Sequence, residues 1–116
     1  HDRSKRVVAT GLHTHVGITD ADARSAAIEA FERYGSTRVK ARKRSYEQAV
    51  GEGVVLFGSP SRVADQLVAL HQMGVDEVLT LHHFGDIDPQ AAKASMTRLM
   101  NEVMPRVRER IGKVAV

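Results

Sequence analysis

Val54-Val55-Leu56-Phe57-Gly58-Ser59-Pro60 is the stretch on which the fold turns. Its first four residues form an unbroken apolar run, as expected of a parallel strand covered on both sides. Gly58-Ser59-Pro60 then ends the strand sharply. Ser59 offers a helix N-cap, Pro60 suits the first helical position, and Val63, Leu67 and Leu70 share one helical face until Gly74 closes the helix. A strand running straight into a helix is a βα unit, and the chain repeats this pattern on either side.

Upstream, Val8, Thr10, Leu12, Thr14 and Val16 alternate with Ala9, Gly11, His13 and His15, so Val7 to Val16 reads as a strand with one aliphatic face and one small or polar face. Thr19 is the N-cap of the helix that follows, with Asp22 three residues on. Ala23, Ala27, Phe31 and Tyr34 keep helical spacing up to Gly35. Residues 35–53 have poor periodicity, apart from a short helix at Ser45 to Val50. They are longer than most connections in a compact α/β unit, and so read as an inserted loop or lid.

Downstream, Glu77 to His83 reads as a third strand entered through Gly74-Val75-Asp76. Asp88 and Pro89 start a last helix in which Met96, Leu99, Val103 and Val107 keep helical spacing, with Pro105 kinking or restarting it. Met96, Met100 and Met104 are read as packing residues.

Three strand-helix units in series require right-handed crossovers and a parallel sheet. A three-stranded parallel sheet cannot close on itself, whereas a full (β/α)8 TIM barrel takes about 250 residues. The expectation is therefore an α/β chain forming the C-terminal portion of such a barrel, with residues 1–116 as one partial domain. The opening His1-Asp2-Arg3-Ser4-Lys5-Arg6 has no apolar run behind it and is read as a cut point, not a signal peptide.

Composition narrows the function classes. With three Phe, two Tyr and no Trp, the core must be mainly aliphatic. The lack of Cys excludes disulfides and thiolate metal sites and fits a reducing compartment, so the cytoplasm is the expected location. No apolar stretch is long enough to cross a bilayer, and no membrane partner is expected. The net charge of +3 is mostly dispersed. Its one concentration, Arg38-Val39-Lys40-Ala41-Arg42-Lys43-Arg44, lacks the aromatic or Gly interleaving that stacks bases. It reads as a solvated face, and no nucleic-acid partner is expected.

Two longer segments carry a family resemblance. Gly58-Ser59-Pro60-Ser61-Arg62-Val63-Ala64-Asp65-Gln66-Leu67, continued by Leu70-His71-Gln72-Met73-Gly74-Val75-Asp76-Glu77-Val78-Leu79, resembles the penultimate helix and final strand of the luciferase-like flavin-dependent monooxygenases. Ser95-Met96, Leu99 and Glu102-Val103-Met104-Pro105-Arg106-Val107-Arg108 are similar to that family's last helix, and Ser45-Tyr46-Glu47-Gln48-Ala49-Val50 fits a subgroup. The ordered set spans about residues 45–108. Where relatives run an apolar strand into an aromatic and glycine pair, this chain has His82-His83-Phe84-Gly85-Asp86.

The resemblance implies an oxidoreductase that uses reduced flavin and O₂ to oxidise a small organic substrate. The flavin is FMN supplied by a reductase, or a deazaflavin in relatives that transfer hydride. It also implies that much of the flavin phosphate contact comes from earlier barrel segments, so that this chain acts with a missing N-terminal barrel segment and is inactive alone.

Within that frame His13 and His15, on the small or polar face of the first strand, are candidate substrate-binding residues at the C-terminal mouth of the barrel. His82 joins them if Thr80 and His82 point inward while Leu79 and Leu81 face the helices. Gly58 and Ser59, at a helix N-terminus, are candidate cofactor phosphate contacts, with plain helix capping as the alternative. No catalytic residue stands out.

Two rival readings use the same residues. Gly11-Leu12-His13-Thr14-His15 resembles the His-x-His motif of barrel amidohydrolases, in which two imidazoles on one strand face share a cation, though no matching Lys and Asp set accompanies it. The third reading is a non-catalytic truncated module that buries its open strand edges as a homo-oligomer.

Overall fold

The computed structural model describes residues 8–36 and 45–112, with the side chains of residues 34–36 excepted. Its elements run β1 (Ala9–Val16), α1 (Asp20–Ser36), α2 (Tyr46–Glu52), β2 (Leu56–Gly58), α3 (Pro60–Gln72), β3 (Glu77–Leu81) and α4 (Pro89–Arg98). A π-helical turn (Leu99–Val103) and α5 (Met104–Ile111) complete the described chain. The expected α/β class with three parallel strands, each followed by helix, is present. The basic run at 38–44 lies outside the described residues.

The strand order is β2-β1-β3. A barrel wall pairs each strand with the next in sequence, so this order differs from the one expected of three consecutive barrel strands. β3 pairs with β1 over five positions, from Ala9 with Glu77 to His13 with Leu81. β2 pairs only with the last three residues of β1, Thr14 with Leu56 to Val16 with Gly58. It is also shorter than the sequence pattern suggests because the end of α2 and a side chain from the middle of α3 claim its first residues. Gly53 adopts a left-handed conformation (φ 72°) at the end of α2, the Val54 amide donates to the Ala49 carbonyl, and the Gln66 side chain donates to the Val55 carbonyl.

The caps read from the sequence form as expected. Thr19 Oγ1 accepts from the Asp22 amide, Ser59 accepts from the Arg62 amide and precedes Pro60, and Asp88 accepts from the Ala91 amide ahead of Pro89. Ser45 and Gln48 make a reciprocal capping box on α2, so part of the 35–53 insertion is an ordered helix whose Tyr46 and Ala49 are buried.

Alternation along β1 divides the core in two. Leu12 and Val16, with Leu56 of β2 and Val78 of β3, pack against Val63, Val68, Leu99, Val103 and Val107 from α3, the π turn and α5. Each fully buried aliphatic side chain here contributes about 1.5–3 kcal/mol. Phe57 points to the opposite face and stacks on Tyr46 at 5.1 Å and 11°, with the Phe31 ring edge-on at 5.3 Å. Ala27, Ala30, Phe84, Ile87 and Ala92 complete that second cluster. α1 and α2 cover this face only over β2 and the C-terminal end of β1. Lower down, no described residue covers the β1–β3 pair there: Leu79 is 66% exposed and Leu81 36%.

Pro105 explains the π turn. Proline has no N–H to donate and crowds the preceding turn, so α4 and α5 do not run on as one α-helix and a wider turn takes up the mismatch just before it. Leu99, Val103 and Val107 stay buried across the joint. Met96 and Met100 are about half exposed, contrary to their reading as packing residues, because that side of the helix faces away from both clusters.

Candidate functional site

The C-terminal ends of β1 and β3 converge on α4, where the chain concentrates its buried polar groups. The last β1–β3 pair is His13 with Leu81, so beyond it Thr14 to Val16 pair with β2 alone and the chain after Leu81 leaves the sheet. Ser95 of α4 fills part of this gap: its Oγ accepts a hydrogen bond from the Val16 amide at 2.8 Å and lies 2.8 Å from Nδ1 of His82. Arg98, one helical turn further, donates to the Val16 carbonyl at 3.2 Å. α4 is thus tied to the end of β1 at both backbone polar groups of Val16.

Three histidines surround this junction in different environments. His13 packs edge-on against Phe84 at 5.3 Å and Phe31 at 6.3 Å, within the aromatic cluster. His15 is 2% exposed and His82 5% exposed. Nδ1 of His15 and Nε2 of His82 are both buried with no hydrogen-bond partner among the described residues. Burial pushes the His82 pKa down to about 4, helped by the neighbouring His15 and His83. Burial and the Arg98 charge lower that of His15. Both imidazoles are therefore neutral near pH 7.

The route by which His82 joins the site differs from the expected one. Val78 packs with Leu12 on the helix-covered face, and Thr80 is paired with Leu12. Thr80 therefore points toward the helices, while Leu79 and Leu81 point to the uncovered face. The expectation had these two sets reversed. The physical reason lies in the cover: α3, the π turn and α5 pack on the face bearing Leu12 and Val78, and the described chain supplies nothing for the other. His82 reaches the junction on the helix side, through Ser95.

Gly58 and Ser59 are already engaged. The Ser59 amide donates to Asp20 Oδ1 at 2.7 Å, Ser59 Oγ caps α3, and Asp20 Oδ2 accepts from Arg62 Nε at 3.1 Å. The Ser59 amide and the Arg62 guanidinium hold the Asp20 carboxyl below its usual range. A Cβ on Gly58 would lie 2.5 Å from Arg62 Cδ and 2.9 Å from the Asp20 carboxylate. The helix N-terminus that would bind a flavin phosphate thus carries an internal carboxylate, and a phosphate does not fit there beside it.

Next to this clasp is an open groove of about 370 Å³, floored by Ala21, Val50 and Phe57 and edged by Arg24, Tyr46 and Arg62. Its charges are paired, Arg24 with Glu47 at 2.8 Å and Arg62 with Asp20. Burial raises the Tyr46 phenol to about 12, so it stays protonated.

Among the described residues no group of three or more His, Asp or Glu side chains could hold a metal ion. No helix among them is long and apolar enough to cross a membrane. Sequence reasoning selected His15 and His82 but missed Ser95 and Arg98, which organise them. The available signal was Ser95 itself, a hydroxyl lying in line with Ala92 and Leu99 on the buried stripe of α4. No protein-family model matches the chain, and no curated protein matches it.

Proposed function

We propose that this chain is a wall of a (β/α) barrel belonging to a luciferase-like flavin-dependent oxidoreductase, which uses reduced FMN and O₂ to oxidise a small organic substrate. The observation that carries the reading is the one-sided cover of the β1–β3 pair. Two adjacent parallel strands, β1 and β3, have helices on one face, while Gly11, Leu79 and Leu81 lie exposed on the other. In a barrel that second face is the lumen, which strands from the rest of the barrel close. β2 pairs with the last three residues of β1 on the edge away from β3.

Flavin fits this chain in part. The lumen face offers Gly11, Leu79 and Leu81 as an apolar surface for a ring system, with His13 at its upper end. Gly58 and Ser59 offer no phosphate donors, so the phosphate would be held by barrel segments that precede this one. A bound flavin would supply the redox chemistry, and this chain's task would be to shape the pocket and exclude water.

The test is a titration with reduced FMN, and in parallel with a reduced deazaflavin, on this chain and on the longest chain its gene encodes. Binding by the long chain and not by the short one supports the proposal. Failure of both to bind removes it. The bare face also supports a second reading, a non-catalytic module that covers Leu79 and Leu81 by self-association. A stable homo-oligomer of the long chain with no flavin affinity would favour that reading.

A further inference from the structure

We propose that the groove lined by α1, α2 and α3 is a binding site for a small organic acid with a flat apolar body, whose carboxylate is held by the guanidiniums of Arg24 and Arg62. The proposal does not rest on the flavin reading, because every lining residue lies in α1, α2, β2 or α3 of this chain.

Helical spacing sets the lining. Asp20 and Arg24 are one turn apart on α1, as are Tyr46 and Val50 on α2, so each pair faces the groove together. The volume of about 370 Å³ suits a small molecule. The floor is apolar and firmly backed, since the buried Tyr46 ring is stacked on Phe57 at 5.1 Å and 11°. Gly51 also lines the groove, and a Cβ there would meet nothing within 4 Å, so that side has room for a ring.

The rim decides the charge of the occupant. Arg24 Nε donates to Glu47 Oε2 at 2.8 Å, and Arg62 Nε donates to Asp20 Oδ2 at 3.1 Å. Each guanidinium is thus anchored through Nε, while its two terminal nitrogens have no partner among the described residues. A guanidinium only donates, so two forks of N–H groups are left unmatched. The Arg24 guanidinium carbon lies 5.9 Å from the Tyr46 ring centroid, which places that fork over the floor. Asp20, one turn from Arg24, brings Arg62 to the same rim.

The carboxylates already present do not fill these forks. Asp20 has both oxygens engaged, Oδ1 by the Ser59 amide and Oδ2 by Arg62. Behind it the N-terminus of α3 adds roughly half a positive charge. Glu47 holds Arg24 through one oxygen only. Donors therefore outnumber acceptors, and an ammonium ligand would face two cations. A planar carboxylate matches a guanidinium fork in shape and charge, and its apolar body would lie against Tyr46 and Val50.

The experiment is saturation-transfer NMR on this chain and on the longest chain its gene encodes, with phenylacetate as the probe and phenylacetamide as its uncharged counterpart. Phenylacetate is expected to bind with a Kd of about 0.1–1 mM, and the amide about fivefold more weakly. Arg24→Gln should weaken the acid by about fivefold and leave the amide unchanged. Gly51→Leu, which adds bulk at the groove without a clash in the fold, should weaken both. Arg110→Gln should alter neither, because Arg110 pairs with Asp65 and neither residue lines the groove. Equal affinity for acid and amide overturns the proposal, as does no binding of the acid by the long chain at about 10 mM. Equal losses in Arg24→Gln and Arg110→Gln also overturn it, since they would mean attraction to net charge alone. Should Arg24→Gln fail to fold, the acid and amide comparison and Gly51→Leu still decide.

Discussion

Ser95 Oγ lies 2.8 Å from His82 Nδ1 and 2.8 Å from the Val16 amide nitrogen, so a single hydroxyl ties α4 to the end of β1 and to the segment following β3. Ser95 itself is fully buried. Replacing it with Ala strands two buried groups at once, the Val16 N–H and His82 Nδ1. Each is expected to cost about 1–3 kcal/mol. Urea unfolding of Ser95→Ala should therefore show a loss of about 2–6 kcal/mol, and a loss below about 0.5 kcal/mol would mean that these bonds contribute little.

The neutral state of His82 makes stability depend on pH in a defined direction. Its folded pKa, about 4, lies below the ordinary value of 6.5, so between the two the unfolded chain binds more protons than the folded one. The associated stability is complete above pH 6.5 and is lost as the pH falls toward 4. Its size is about 3 kcal/mol by the usual conversion of a pKa difference to free energy. Comparing melting temperatures of wild type and His82→Gln from pH 7.5 to 4 isolates this contribution. Parallel curves for the two proteins would contradict it.

Two glycines should respond oppositely to alanine. A Cβ on Gly17 would lie 2.5 Å from the Ala23 amide nitrogen, a backbone atom in the first turn of α1 that has no room to move. Gly17→Ala is expected to cost about 2–4 kcal/mol or to prevent folding. Gly51 is helical in α2 and a Cβ there would meet nothing within 4 Å. Gly51→Ala should stabilise by about 0.5–1 kcal/mol through helix propensity. Thermal melts of the pair check both signs.

Leu79 distinguishes a bare face from a packed one. At 66% exposure, Leu79→Lys should change the unfolding free energy of the isolated chain by no more than about 0.5 kcal/mol. If the rest of a barrel closes over it, the same change in the long chain should cost about 3 kcal/mol or more, because it buries an unpaired charge. Equal, small effects in both chains would argue against a covered lumen.

Much of the local architecture was legible because its causes are local. Thr19, Ser45, Ser59 and Asp88 cap helices through amides three residues away, and Pro105 disturbs the helix that contains it. Residues near in sequence decide these features, so one stretch of chain suffices to read them. The site was legible only in part. His15 and His82 stood out as residue types, whereas Ser95 bonds to Val16 across 79 positions and to His82 across 13. No short-range pattern encodes such contacts.

The sequence by itself determined the number of strand-helix units, their caps and the two-faced pattern of β1, since these follow from propensity and periodicity along the chain. Tertiary structure alone decided that β1 lies between β2 and β3, that Leu79 and Leu81 share the uncovered face, and that Asp20 occupies the N-terminus of α3. Alternation sorts a strand's residues into two sets but does not say which set the helices cover. That choice depends on where distant segments pack, and only burial of the whole chain settles it.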